Sequence, residues 1–234
     1  MGKNIIQQAR GKGSPTYRAP SFRYKAKVEY PNQATTGQIV DLVKCRGHSA
    51  PLIKVKYDSG EEKFIVAPEG IKVGDKINFG ENAEPKTGNT LYLKDIPVGT
   101  PIFNIEINPG DGGKFVRSGG CFAKIISKRE NEIVVMLPSK KERVFNPNCR
   151  ATIGVIANSG RKDKPFLKAG NRYYYMKARN KLYPRVKGQS MNAVDHPHGT
   201  HRSSRKGQPT IADKNAPPGA KVGKIRPRRT GMPR

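Results

Sequence analysis

Leu52-Ile53-Lys54-Val55-Lys56-Tyr57-Asp58-Ser59-Gly60-Glu61-Glu62-Lys63-Phe64-Ile65-Val66 is the stretch that decides the fold. Ile53, Val55 and Tyr57 alternate with Lys54 and Lys56, the period of two that puts apolar side chains on one face of a strand. Asp58-Ser59-Gly60 is a turn signal and Glu62–Val66 returns, so 52–66 predicts a β-hairpin. Upstream, from Gly37, an apolar run contains Ile39, Val40, Leu42 and Val43. Downstream, Ile71, Val73, Ile77 and Phe79 surround Gly74-Asp75, a further short β element. Residues 81–90 are polar and turn-rich, a candidate linker.

A second β series follows. Ile102-Phe103-Asn104-Ile105-Glu106-Ile107 alternates, and 108–113 (Asn-Pro-Gly-Asp-Gly-Gly) is a loop. Runs at 123–127, 133–137, 143–145 and 151–155 complete the series. Short strands at close spacing with Gly/Pro turns predict small barrels or sandwiches. Helix is scarce, with one short helix expected within 173–182. Past Ser159-Gly160 the strand pattern fades.

The charge divides the chain the same way. Residues 1–30 carry 7 Lys/Arg against 1 Asp/Glu, and residues 161–234 carry 20 against 3. The middle, 31–160, carries 18 against 14 and can fold on its own. The arms repel themselves and need a polyanion to become ordered, and the polyanion with charges a few ångströms apart is nucleic acid. A solubilising or localisation tag would not need so long and varied a segment. In the N-terminal arm Gly11, Gly13, Pro15 and Pro20 predict extended chain. Tyr17, Phe22 and Tyr24 are interleaved there with Arg10, Lys12, Arg18 and Arg23, the pairing that stacks on bases and neutralises phosphates.

Other classes are less well served. No apolar run approaches the ~18 residues of a membrane span. The first residues lack the apolar stretch of a signal peptide and the Ser or Thr of a myristoylation site. A cytoplasmic protein without a membrane partner is expected. Cys45, Cys121 and Cys149 are odd in number and widely spaced, with no Cys-x-x-Cys pair, so they read as small reduced side chains. Gly110-Asp111-Gly112-Gly113-Lys114 fails as a phosphate loop. Asn108 stands where its first Gly must be, and Phe115 where Ser/Thr must hold Mg²⁺. It reads as a tight loop whose Lys114 can meet a backbone phosphate.

Asp195-His196-Pro197-His198-Gly199 with His201 gathers three of the four histidines within six residues. General acid/base work by His196 with Asp195, an imidazole metal cluster, and an RNA-contacting loop all remain open readings. The third suits the basic setting best. A neutral imidazole offers one donor and one acceptor and can stack on a base, and Gly199 permits close backbone approach.

At this loop a resemblance emerges. Gln189-Ser190-Met191-Asn192-Ala193-Val194-Asp195-His196-Pro197-His198-Gly199 resembles the signature of the L-two family of large-subunit ribosomal proteins. Gly11-Lys12-Gly13-Ser14 and Tyr17-Arg18-Ala19 look like the family's N-terminal arm, and 47–52 (Gly-His-Ser-Ala-Pro-Leu) like its first-domain turn. Residues 151–155 and 160–165 look like the end of its second domain. Residues 216–223 and 228–231 look like the tail of the archaeal and eukaryotic branch. The matches are collinear along nearly the whole chain. Two departures lie in the signature, with Ala193 in place of the usual Pro and Thr200-His201 in place of a glycine run.

The resemblance implies a mainly β chain, with an OB-like barrel, an SH3-like barrel and long basic extensions. The expected boundaries are 1–30 for the N-terminal arm, 31–84 and 85–165 for the barrels, and 166–234 for the C-terminal extension. It implies a non-enzymatic constituent of the large subunit that binds rRNA near the peptidyl transferase centre and supports subunit association and tRNA placement. The family histidine carries over onto His196, with the chemistry left to rRNA.

The residues expected to meet rRNA begin with Arg10, Lys12, Arg18 and Arg23 in the N-terminal arm. Arg161, Lys162, Arg179, Arg185 and Lys187 lead to the loop, which contributes Asn192, Asp195, His196, His198 and Gly199. Arg202, Arg205, Lys206, Arg226, Arg228 and Arg229 follow. No cofactor and no metal is expected. The expected partners are large-subunit rRNA, other ribosomal proteins, the small subunit and tRNA, with no homo-oligomer. Two other classes compete. One is a DNA-architectural protein, marked by preference for duplex DNA. The other is an RNA-processing enzyme centred on His196 and Asp195, marked by metal-dependent cleavage lost in His196→Ala.

Overall fold

A computed structural model describes residues 3–80, 83–199, 211–212 and 214–225. The chain forms two compact units, Ser21–Ala169 and Met1–Pro20 with Gly170–Arg234.

The first unit is β throughout. Its strands are β1 Thr35–Val43, β2 Leu52–Tyr57, β3 Glu62–Val66, β4 Lys76–Phe79 and β5 Thr90–Tyr92. They continue as β6 Pro101–Phe103, β7 Ala123–Lys128, β8 Ile133–Met136, β9 Glu142–Phe145 and β10 Arg150–Ile153. All ten join one sheet in the order β3-β2-β1-β4-β5-β10-β6-β7-β8-β9. The hairpin at 52–66 forms as its alternation predicts. Leu52, Ile53, Val55 and Tyr57 are buried, while Lys54 reaches Glu62 across the pair at 2.7 Å. Each such apolar side chain contributes about 1.5–3 kcal/mol on burial.

Each half of the sheet has its own core. Ile39, Ile53, Val55, Tyr57, Ile65, Ile77 and Phe79 pack together in the first half. Ile102, Ile105, Ile125, Ile133, Val135, Phe145 and Ile153 are central to the second. This is the mainly β architecture expected, in keeping with an OB-like barrel followed by an SH3-like one. Register shifts at Val40 in β1 and Ile126 in β7 mark bulges, and both of these apolar residues are exposed.

The halves meet without a break. Phe79 of β4 pairs in parallel with Thr90 of β5, and Val28, Leu52, Val66, Phe103 and Ile156 share a third cluster. Tyr30 donates its hydroxyl hydrogen to the Asn104 carbonyl at 2.7 Å. Its oxygen is then left to accept from Thr152 Oγ1 at 2.7 Å, and Thr152 to accept from Thr90 at 2.9 Å. Residues 88–90, read as the end of a linker, are instead tied into the β unit: Thr90 opens β5, Asn89 and Thr90 are buried, and Gly88 N–H donates to the Ile153 carbonyl.

Strand β6 ends at Phe103, earlier than the alternation to Ile107 suggests. Asn104 takes a left-handed φ of 49° there and turns the chain. Glu106, fully buried, then accepts from the backbone N–H groups of Gly112 and Arg150 and from the Arg150 guanidinium. Arg150 also donates to the Pro31 carbonyl at 2.6 Å. One ion pair thus fastens the 108–113 loop, β10 and the segment that leads into β1.

The second unit has little regular structure. Helix α1, Ile6–Gly11, lies where extended chain was expected. Gln8 Oε1 accepts from the Ile5 N–H, satisfying an otherwise orphaned donor, and of the Gly/Pro residues only Gly11 falls within the helix, as its last residue. Helix α2, Ala169–Ala178, begins earlier than expected. It ends in a Schellman motif: Asn180 is left-handed at φ 49°, and the N–H groups of Asn180 and Lys181 return to the carbonyls of Lys177 and Met176. Ile211–Ala212 and Lys224–Ile225 form a short parallel pair, β11 and β12. No described helix is long and apolar enough to cross a membrane.

Candidate nucleic-acid interface

The histidine loop is built on two glycines. Gly188–Ser190 forms a single 3₁₀ turn. The chain then closes, with the Asn192 carbonyl accepting from both Asp195 N–H and His196 N–H, and the His196 carbonyl accepting from Gly199 N–H at 2.8 Å. A Cβ on Gly188 would lie 2.4 Å from Cε1 and Nδ1 of His196, so the imidazole ring rests directly on glycine backbone. A Cβ on Gly199 would lie 2.3 Å from the Asn192 carbonyl oxygen and 2.6 Å from that of Met191. Neither position has room for a side chain.

This packing sets the state of His196. The backbone N–H of His198 donates to His196 Nδ1 at 3.0 Å. Nδ1 must therefore be unprotonated, and the ring's hydrogen sits on Nε2. Burial, then the neighbouring His198 imidazole with its ring centre 5.0 Å away, hold the His196 pKa below its ordinary value. The geometry argues against a catalytic dyad. In a His–carboxylate dyad Nδ1–H donates to the carboxylate, whereas here Nδ1 accepts. The Asp195 carboxylate instead lies 3.9 Å from Lys3 Nζ, while Lys3 N–H donates to the Val194 carbonyl.

The N-terminal segment and the C-terminal extension meet in this unit. Asn180 Nδ2 donates to the carbonyls of Thr16 and Arg18, and its own carbonyl accepts from Arg10. Between α1, α2 and the histidine loop lies a groove of about 1680 Å³. Arg10, Arg172, Arg179, Lys181 and Arg185 line it, along with Tyr17, Tyr175, Tyr183, Asp195 and His196. Three of the arginines sit over tyrosine rings: Arg10 over Tyr17 at 5.7 Å, Arg172 over Tyr183 at 5.3 Å, and Arg179 over Tyr175 at 4.1 Å. Across 3–20 and 170–199 there are ten Lys/Arg and a single acidic residue, Asp195.

A family model for ribosomal proteins L2, C-terminal domain, matches residues 86–218. The chain is 49% identical to the large ribosomal subunit protein uL2 of Methanosphaera stadtmanae and 48% identical to that of Archaeoglobus fulgidus, over the full length of both chains in each case. It is 50% identical to the uL2 of Methanococcoides burtonii over 99% of each. The chain belongs to the uL2 family. It is accordingly a structural constituent of the large ribosomal subunit and not an enzyme, as the signature at 189–199 implied.

The expected contact residues of this uL2 chain fall into four groups. Arg10, Arg179, Arg185, Asn192, Asp195 and His196 come together around the groove, with His198 and Gly199 in the adjoining loop. Lys12 and Lys187 are exposed nearby in sequence, and Arg18 is exposed with Nε donating to the Gly13 carbonyl. Arg23, Arg161 and Lys162 belong to the β unit. Arg23 lies over the exposed Phe22 ring, Lys162 is exposed, and Arg161 donates to the Gly119 carbonyl. Arg202, Arg205, Lys206, Arg226, Arg228 and Arg229 lie outside the described residues.

Two aromatic expectations part company. Tyr17 lines the groove, but Tyr24 packs on Gly47 and against the cluster around Val28, so it is a packing residue. Tyr175, Tyr183, Arg172 and Gly188 were not singled out in the sequence. The signal for Tyr175 was its spacing of four from Arg179, one helical turn.

Proposed function

We propose that this uL2 chain binds large-subunit rRNA near the peptidyl transferase centre and supports subunit association and tRNA placement. The observation that carries the rRNA reading is the excess of ten cations over one carboxylate in 3–20 and 170–199, five of the cations lining a groove beside the histidine loop. The place near the peptidyl transferase centre rests on the family signature around His196.

In this reading the two β halves, 31–84 and 85–165, are a weakly charged base, and the arms, with 1–30 and 166–234 as their expected extents, reach into RNA. The cations at Arg185 and Lys187, and onward through Arg202, Arg205, Lys206, Arg226, Arg228 and Arg229, neutralise phosphates. A-form RNA hides its base edges in a deep, narrow groove, so shape and 2′-OH contacts carry recognition in the helices. The chain acts as a single copy among other ribosomal proteins, with the small subunit and tRNA beyond them.

His196 positions RNA through its Nε2–H and transfers no proton. In reconstituted particles, His196→Gln keeps a donor and should retain much of the assembly and peptide-bond activity, whereas a His196→Ala defect should follow lost assembly. Normal assembly in both variants with an equal loss of the chemical step would overturn that role.

The test of the rRNA reading is salt. Roughly ten phosphate contacts give a slope of log K against log salt of about −7 on a large-subunit rRNA fragment, at ~0.7 per contact. A slope near zero, or tighter binding to duplex DNA than to the fragment, contradicts it.

A further inference from the structure

The groove is larger than a typical small-molecule pocket and is walled by features that suit one kind of polymer. Ligand pockets run to about 1,000 Å³, and this one is about 1680 Å³. Tyr17 and Tyr183 are half-buried ring platforms on its wall, each backed by a guanidinium, Arg10 on the first and Arg172 on the second. A cation over a ring is held by the ring's electrons and also lies within reach of a phosphate beside a stacked base. His196, fixed as the Nε2–H tautomer by the His198 N–H, also lines the groove and brings it a donor.

A paired duplex uses none of this. Its bases already stack on one another and their faces are closed to side chains, so ring platforms are useful only to bases that have left the helix. We propose that the groove holds an unpaired, splayed segment of rRNA, with Tyr17 and Tyr183 stacking on bases. Arg10, Arg172 and Arg185 face its phosphates, and His196 Nε2–H donates to a base or ribose oxygen. This rests on the rRNA reading above and narrows it to single-stranded recognition at one site. Arms that only neutralise charge need no ring platforms.

The test uses the full-length chain and two RNAs at one salt concentration: an unpaired strand of about ten nucleotides and a perfect RNA duplex with the same number of phosphates. Tyr17→Leu and Tyr183→Leu should each weaken the unpaired strand about tenfold, the scale of a lost base stack. Duplex binding should hold within about twofold, which also reports that the variants are folded. Tyr17→Phe and Tyr183→Phe keep the ring and should bind both RNAs like the parent chain. A 2-aminopurine placed in the unpaired strand should be quenched on binding the parent and less so on binding the Leu variants.

Leu variants that bind both RNAs normally, or weaken both equally, overturn the groove proposal while leaving the rRNA reading standing. Phe variants as weak as Leu also overturn it, since the hydroxyl and not the ring would then be at work. So does a polyglutamate peptide that binds the parent as tightly as unpaired RNA, because the groove would then be an acidic-peptide site. A parent chain that binds neither RNA sinks both readings.

Discussion

The imidazole of His196 occupies the space that a Cβ on Gly188 would need, with Nδ1 and Cε1 both 2.4 Å from that position. The same Nδ1 accepts the His198 backbone N–H. Gly188 therefore acts on the histidine loop through packing: it lets the ring settle to where its acceptor meets the next turn of chain. The consequence is a histidine with one orientation and one tautomer, eight residues from the glycine that permits it.

Gly188→Ala should break this arrangement. Overpacking of this kind costs about 1–3 kcal/mol, and the ring is the part that can move. The His198 amide would lose its acceptor, so its hydrogen-exchange protection should fall by roughly ten- to a hundredfold, at about 1.4 kcal/mol per factor of ten. Exchange of the Asn89 and Thr90 amides in the β unit should not change. Unaltered His198 protection would mean that the loop holds its shape without the glycine.

His196 should titrate below the ordinary imidazole value of about 6.5, because burial and then the charge of His198 disfavour its protonated form. Protonation at Nδ1 would also place a hydrogen against the His198 N–H. As pH falls below about 6.5, the unfolded loop takes up its proton before the folded one does. The stability that neutral His196 confers is thus complete above that pH and drains away as pH falls toward the folded value. The NMR shift of the His196 Cε1 proton gives the midpoint, which His198→Gln should raise. A midpoint at or above 6.5 contradicts the geometry.

Glu106→Ala should be severe. The carboxylate is fully buried, and Arg150 Nη2 lies 2.8 Å from it with only 12% of its side chain exposed. Removing one partner of such a pair costs about 3–5 kcal/mol. Here the Gly112 and Arg150 N–H groups also lose their acceptor. Urea unfolding of the full-length chain should show the loss in the transition of the β unit. A change under about 1 kcal/mol, the range of an exposed pair, would mean that Arg150 and the loop find other partners.

Much of the β unit is legible in the sequence because its strands alternate and its turns carry Asp, Ser and Gly. The hairpin of β2 and β3 is the clearest case. Strand β5 was hidden, since Asn89 and Thr90 look like linker residues. They are buried because Asn89 Nδ2 finds the Glu84 carbonyl within its own loop and Thr90 finds Thr152, a partner that only the tertiary fold supplies. The overlong reading of β6 failed at one residue, Asn104, whose left-handed turn leaves no mark in the alternation. At the site, charge and the histidine loop were legible. The groove was not, because it pairs Tyr17 and Arg10 near one end of the chain with residues beyond 170. Gly188 was one glycine among many until the position of the His196 ring gave it a reason.

The segments 3–20 and 170–199 are proposed to be where this uL2 chain meets rRNA. Crosslinking of intact large subunits, with each peptide–nucleotide adduct mapped to a residue, tests it most directly. Adducts should concentrate at Tyr17, Tyr183, Arg185 and His196, on nucleotides that are unpaired. Adducts confined to the β strands of 35–153, with none on these residues, would contradict it.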